Sequence, residues 1–120
     1  MKILIVDDSK VMRSIVIRAL RHAGFGGHVL VESPDGKSAL NDINQSPPDL
    51  VLTDWNMPEM SGIDLLRNVR ADGKKMPFVF VTSESTDEMR NIAIAAGARG
   101  LITKPFTPES FQAALSGVIR

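Results

Sequence analysis

Four short apolar runs in this chain stop at residues that could together hold a phosphate and a metal ion. Lys2-Ile3-Leu4-Ile5-Val6 ends at Asp7-Asp8, and Leu50-Val51-Leu52-Thr53 ends at Asp54. Phe78-Val79-Phe80-Val81 ends at Thr82-Ser83, and Leu101-Ile102-Thr103 ends at Lys104-Pro105. Three carboxylates in one place repel each other unless a cation sits among them. Magnesium suits such a set, being a hard ion that takes oxygen ligands and shares phosphate oxygens. An ionised Asp54 carboxylate can attack phosphorus and form an aspartyl phosphate. Lys104 would then neutralise charge on the transferred group, while the Thr82 hydroxyl and the Ser83 backbone N–H would donate to its oxygens.

Each residue also has an ordinary explanation. Asp7-Asp8 could cap a helix and favour its positive end, although Ser9 could cap instead. Asp54 could cap a loop, Thr82-Ser83 a turn, and Lys104 could be a solvated lysine. The joint occurrence at four strand ends favours the phosphate-and-metal reading.

The elements that must position these residues alternate between short β-rich runs and helical segments, which predicts an α/β fold with a parallel sheet. In such a sheet the carboxyl ends of the strands line one edge, where ligands bind. Strands are predicted at Lys2–Val6, His28–Glu32, Leu50–Thr53, Phe78–Thr82 and Gly100–Thr103. Helix 1 is predicted from Ser9 or Lys10 to Ala23, with Val11, Ile15, Ala19 and Leu20 on its apolar stripe and Gly24 as its stop. Helix 2 covers Asp35–Gln45, ended by Ser46-Pro47-Pro48. Helix 3 covers Gly62–Ala71, with Ile63, Leu66 and Val69 facing inward. Ser85-Thr86-Asp87-Glu88 has capping-box spacing and opens helix 4, which stops before Gly97. Thr107-Pro108-Glu109 opens helix 5, which runs toward Ile119. The long segment Trp55–Ser61 is marked as functional by its length.

The chain has 120 residues and reads as a single domain over its whole length, without linker or repeat. Fourteen basic and fourteen acidic residues cancel, so no global field would hold it on nucleic acid or an anionic membrane. With no cysteine there are no disulfides, thiolate sites or cysteine nucleophiles. No apolar stretch reaches membrane length and no secretory pattern opens the chain, which points to the cytoplasm. His22 and His28 flank the turn after helix 1 without a second ligand at metal spacing, and read as packing or solvated residues. Met57, Met60, Met76 and Met89 read as packing residues.

With these residues placed, the chain resembles the receiver domain of bacterial two-component response regulators, and among them the chemotaxis regulators. The resemblance rests on Ile5-Val6-Asp7-Asp8-Ser9, Asp54-Trp55-Asn56-Met57-Pro58 with Gly62, Val81-Thr82-Ser83 and Thr103-Lys104-Pro105-Phe106. It implies a flavodoxin-like doubly wound sheet of five parallel strands flanked by five helices. It implies that Asp54 is the phosphoacceptor, supplied by a histidine kinase. Asp8 and Asp54 would bind magnesium through side chains, Asn56 through its carbonyl, and Asp7 through water. Thr82 would be the switch hydroxyl and Lys104 its cationic partner, followed by a cis peptide at Lys104-Pro105. Asn56 and Glu84 stand where the family tunes self-dephosphorylation.

Two departures stand out. The family often has an aromatic switch partner three positions before the lysine, where this chain has Leu101. Ala98-Arg99-Gly100-Leu101 also lacks the acidic pair and tyrosine of regulators that dimerise through helix 4, strand 5 and helix 5, so a monomer is expected. A methionine directly before strand 1 and nothing after helix 5 favour a stand-alone regulator over a receiver cut from a longer chain.

Two other classes fit less well. A metal-dependent phosphohydrolase that uses an aspartyl phosphate wants an acid two residues past its nucleophile, where Asn56 stands. A flavin-binding protein of this topology wants hydroxyls and glycines in its first loop, where Asp7-Asp8 would repel the phosphate.

Overall fold

The computed structural model describes residues 1–118, so the predicted reach of helix 5 to Ile119 falls outside the described residues. Five strands form one parallel sheet: β1 (Lys2–Val6), β2 (Val29–Ser33), β3 (Leu50–Thr53), β4 (Phe78–Thr82) and β5 (Gly100–Thr103). Their order is β2-β1-β3-β4-β5, the doubly wound arrangement in which the chain reverses direction beside β1. Helices α1 (Lys10–Leu20), α2 (Gly36–Gln45), α3 (Gly62–Ala71), α4 (Asp87–Ala95) and α5 (Pro108–Leu115) cover the two faces.

The central strands β3 and β4 are buried along their whole length, as expected for a parallel sheet covered on both sides. Alternation then sends successive side chains to opposite layers. Ile3, Ile5, Leu50, Leu52, Val79 and Val81 pack with α1 and α5, while Leu4, Val6, Val51, Phe78 and Phe80 pack under α2, α3 and α4. The register Val6↔Thr53, with Thr53↔Phe80 and Thr82↔Thr103, brings the carboxyl ends of four strands to one edge.

Four local expectations are corrected. On α1, Val11 is 70% exposed and Ile15 45% exposed. The buried residues are Val16, Ala19 and Leu20, so the inward face is rotated from the predicted stripe. A four-residue period starting at Val11 or at Met12 fits the sequence almost equally well, and only packing under β1 and α5 decides between them. Second, α1 passes into a wide helical turn at Arg21–Phe25, closed where Gly24 takes φ +99°, a conformation that glycine adopts without side-chain strain. Third, β2 is shifted one residue toward Ser33. Fourth, α4 is capped by Thr86, whose hydroxyl accepts from the Met89 N–H at 3.1 Å, and not by Ser85. The other caps follow the sequence: Asp35 accepts from the Ser38 N–H at 2.7 Å, and Ser9 from the Met12 N–H at 3.2 Å. Because Ser9 does the capping, the Asp7 and Asp8 carboxylates are not spent on it.

Candidate functional site

Each acid is placed by the strand that precedes it. Asp7 leaves β1 with its N–H donating to the Ser33 carbonyl at 3.2 Å, and its Oδ1 accepts from the Ser9 N–H at 2.9 Å. Asp54 leaves β3 with its N–H donating to the Val6 carbonyl at 2.9 Å. The two strand ends are thus laced together by one main-chain bond. Carboxylate oxygens of Asp7, Asp8 and Asp54 all lie within 4.8 Å of one another. Asp7 is buried, Asp54 half-buried and Asp8 exposed, so the cluster is a pocket with one open side.

Lys104 enters from the far side. Its Nζ lies 3.2 Å from Asp7 Oδ2 and 3.5 Å from Asp54 Oδ2. The Lys104 side chain is 14% exposed, and its backbone N–H donates to the Thr82 carbonyl at 2.7 Å. The Lys104-Pro105 peptide is cis. Thr82 is fully buried at the end of β4, and its hydroxyl accepts from the Glu84 N–H at 3.4 Å. Ser83 and Asn56 are exposed, Asn56 on the loop that follows Asp54.

That loop is held tightly for its length. The Trp55 N–H donates to Asp54 Oδ1 at 2.7 Å, and the Gly62 N–H closes the loop onto the Trp55 carbonyl at 2.8 Å. The Trp55 ring packs 4.9 Å from Phe80, at 44° to it. A Cβ on Gly62 would come within 2.1 Å of the Asp54 carbonyl oxygen, so only glycine fits there. Glu59 sits at φ +67° inside a γ-turn in which the Met60 N–H donates to the Pro58 carbonyl at 2.7 Å. Strain of this kind concentrates at functional loops.

Burial pushes the Asp54 carboxyl above the ordinary carboxylate value of 3.8; the Lys104 charge pulls it down, the Asp7 charge pushes it up, and the Trp55 N–H pulls it down. Lys104 thus offsets only part of the negative charge. Among the described residues the Asp8 side chain has no hydrogen bond or ion pair. An all-oxygen donor set with an unpartnered, exposed Asp8 carboxylate and a half-buried, destabilised Asp54 carboxylate fits a hard divalent cation such as magnesium.

The strand ends therefore bring Asp7, Asp8, Asp54 and Lys104 side by side, and Thr82 ends the neighbouring strand with its carbonyl bonded to the Lys104 N–H. Leu101 lies half-buried, paired with Phe80 in the sheet register. Sequence reasoning missed Arg13, whose Nη1 donates to the Asp7 carbonyl at 2.6 Å. Nothing in the helical pattern separates that arginine from a solvated one. Of the histidines, His22 is exposed and His28 packs on Phe25 with 6.4 Å between ring centres, and among the described residues neither belongs to a cluster of metal-ligating side chains.

This sheet and its acidic edge define a class. The chain belongs to the response regulator receiver domain family, which matches residues 3–116. It is 45% identical over 120 residues to chemotaxis protein CheY-3 of Vibrio cholerae serotype O1, covering 98% of this chain and 91% of that protein. It is 46% identical over 111 residues to chemotaxis protein CheY of Pseudomonas aeruginosa, covering 91% of this chain and 88% of that one. The solved structure of chemotaxis protein CheY4 of Vibrio cholerae superposes with a TM-score of 0.86 at 33% identity, covering 98% of both chains. The flavodoxin-like architecture and the resemblance to chemotaxis-type receivers are thereby established. Receiver domains bind magnesium at an acidic pocket of this kind.

Proposed function

We propose that this chain is a phosphorylation-controlled signalling switch in which Asp54 accepts a phosphoryl group from a histidine kinase. The observation that carries the reading is the convergence of Asp7, Asp8, Asp54 and Lys104 at one sheet edge, with Thr82 ending the adjacent strand. An Asp54 carboxylate oxygen attacks phosphorus in line, the phosphorus–nitrogen bond of the donor phosphohistidine breaks, and the histidine leaves with its electron pair. Bound by Asp7, Asp8, Asp54 and the Asn56 carbonyl, magnesium would offset the carboxylate charge and hold a phosphoryl oxygen.

The chain's own groups do the rest. The Trp55 N–H holds Asp54 Oδ1 and so fixes the plane of the nucleophile. Lys104, already beside Asp54, exchanges carboxylate contacts for phosphoryl oxygens as charge moves outward. The Thr82 hydroxyl, which among the described residues accepts one long hydrogen bond from the Glu84 N–H, turns toward the same oxygens, and the Ser83 N–H adds a donor. Movement at Thr82 is passed to the segment leading into α4, which changes the affinity for a downstream protein. With Leu101 in the aromatic's place, the loop and α4 carry this signal without a ring.

In this reading residues 1–120 form one receiver unit, a monomeric cytoplasmic protein that binds no nucleic acid and turns over no substrate beyond its own phosphoryl group. Among the described residues no helix is long and apolar enough to cross a membrane. Acetyl phosphate with magnesium should add one phosphoryl mass to the wild type and none to Asp54→Asn. An unmodified wild type refutes the proposal.

A further inference from the structure

We infer that Arg13 is a positioning residue for the metal-binding turn Asp7–Asp8, and that Glu32 holds it in place. The inference deepens the proposed function and rests on its metal site. Arg13 stands on the first turn of α1, with Nη1 donating to the Asp7 carbonyl at 2.6 Å and Nε 3.0 Å from Glu32 Oε1. The Arg13 side chain is 12% exposed and that of Glu32 43% exposed, so the cation lies inside and its counter-charge at the rim.

Every other polar group of Asp7 has a different partner. Its N–H is held by Ser33, Oδ1 by Ser9 and Oδ2 by Lys104. The carbonyl is what orients the Asp7–Asp8 peptide, and that peptide sets where Asp8 begins. Asp8 itself has no side-chain partner among the described residues, so its carboxylate is aimed by the backbone alone. Arg13 is the side chain that fixes this backbone. Its planar fork serves two partners in different directions, which a lysine ammonium on a flexible stem does not reproduce.

A bare guanidinium close to a cation site would oppose metal binding, and Glu32 removes that conflict. Glu32 pairs with Ile5 in the β1–β2 register, two residues before Asp7, on the sheet face that α1 covers. The Arg13–Glu32 pair therefore ties the edge strand and α1 to the metal turn. Groups that orient ligands from outside commonly change metal affinity by about 10-fold or more when removed.

The test is magnesium titration by calorimetry, with urea unfolding of the metal-free proteins beside it. Arg13→Met should weaken magnesium binding by about 10-fold, and Arg13→Lys should stay nearer to Arg13→Met than to wild type. Glu32→Ala, at an exposed position that folding tolerates, should weaken binding by about threefold, the scale of an exposed ion pair. The double variant should match Arg13→Met, because Glu32 acts through Arg13. Phosphorylation of Arg13→Met by acetyl phosphate should recover to the wild-type rate at saturating magnesium. A folded Arg13→Met with wild-type magnesium affinity overturns the inference, as does additivity in the double variant or a rate that saturating magnesium does not restore. Should Arg13→Met fail to fold, Glu32→Ala and Arg13→Lys decide. A wild type that binds magnesium but takes no phosphoryl group would refute the proposed function and leave the calorimetric arm to judge Arg13.

Discussion

Lys104, directly after the strand two places from β3, reaches Asp54 with 3.5 Å between Nζ and Oδ2, although the two stand 50 positions apart in the chain. The ammonium also touches Asp7 at 3.2 Å, so it occupies the same carboxylates that a magnesium ion would need in the proposed function. In the proposed function it would stand in part for the metal before phosphorylation and would pair with the phosphoryl group afterwards.

This shared occupancy predicts a split effect for Lys104→Met. Removing a neighbouring positive charge should raise magnesium affinity by about 5-fold or more, because charges about 4 Å apart interact by about 1 kcal/mol even at the dielectric of water. The same variant should still accept phosphate yet fail to pass the signal to a partner. Calorimetry and a binding comparison of the two phosphorylated proteins check both halves; reduced magnesium affinity would contradict the competition.

Asp54 should cost the metal-free protein stability at neutral pH. Its folded pKa lies above the ordinary 3.8, chiefly through burial. The protonated form therefore favours the folded state: its contribution is full below the unfolded pKa and is lost as pH rises through the folded pKa. Asp54→Asn resembles the protonated carboxyl. It should gain about 1 kcal/mol over wild type near pH 7, within the usual range for relieving a functional site. The gain should vanish as pH falls below about 3.8, where both proteins are neutral at this position. Urea unfolding without metal at several pH values measures the difference.

The same proton competes with magnesium. Binding should weaken as pH falls through the raised Asp54 pKa, by at most about tenfold per pH unit below it. Trp55 supplies the signal, because its N–H is bonded to the Asp54 carboxylate and its ring rests on Phe80. Emission that does not change on adding magnesium would contradict this coupling.

Gly62→Ala should be severe although Gly62 carries no reacting group. Its Cβ would overlap the Asp54 carbonyl oxygen, and Phe80 lies 2.9 Å away on another side. The strand end must shift, at a cost of roughly 2–4 kcal/mol, and the nucleophile shifts with it. A variant with wild-type stability and phosphorylation rate would show that the loop relaxes at no cost.

Much of the candidate site was legible because Asp7, Asp54, Thr82 and Lys104 each end or directly follow a strand. A strand's apolar run is easy to see, and a parallel sheet dictates that such ends meet, so Asp7, Asp54, Thr82 and Lys104 follow from pattern and topology together. The inward face of α1 was not legible, since the stripes through Val11 and through Met12 differ by one residue and only packing chooses. Arg13 was hidden for a related reason: its partners are a carbonyl and the side chain of Glu32 on β2, neither within one helical turn. The γ-turn at Glu59 was equally silent, because sequence favours glycine or asparagine at positive φ.

In the proposed function Asp54 takes up phosphate only while the acidic cluster holds a metal. Incubation with acetyl phosphate, with magnesium or with a chelator, followed by peptide mapping of the modified residue, tests both parts at once. One phosphoryl group is expected on Asp54 with magnesium, and none with the chelator or in Asp54→Asn. A phosphoryl group mapped to another residue, or an equal yield without metal, would contradict it.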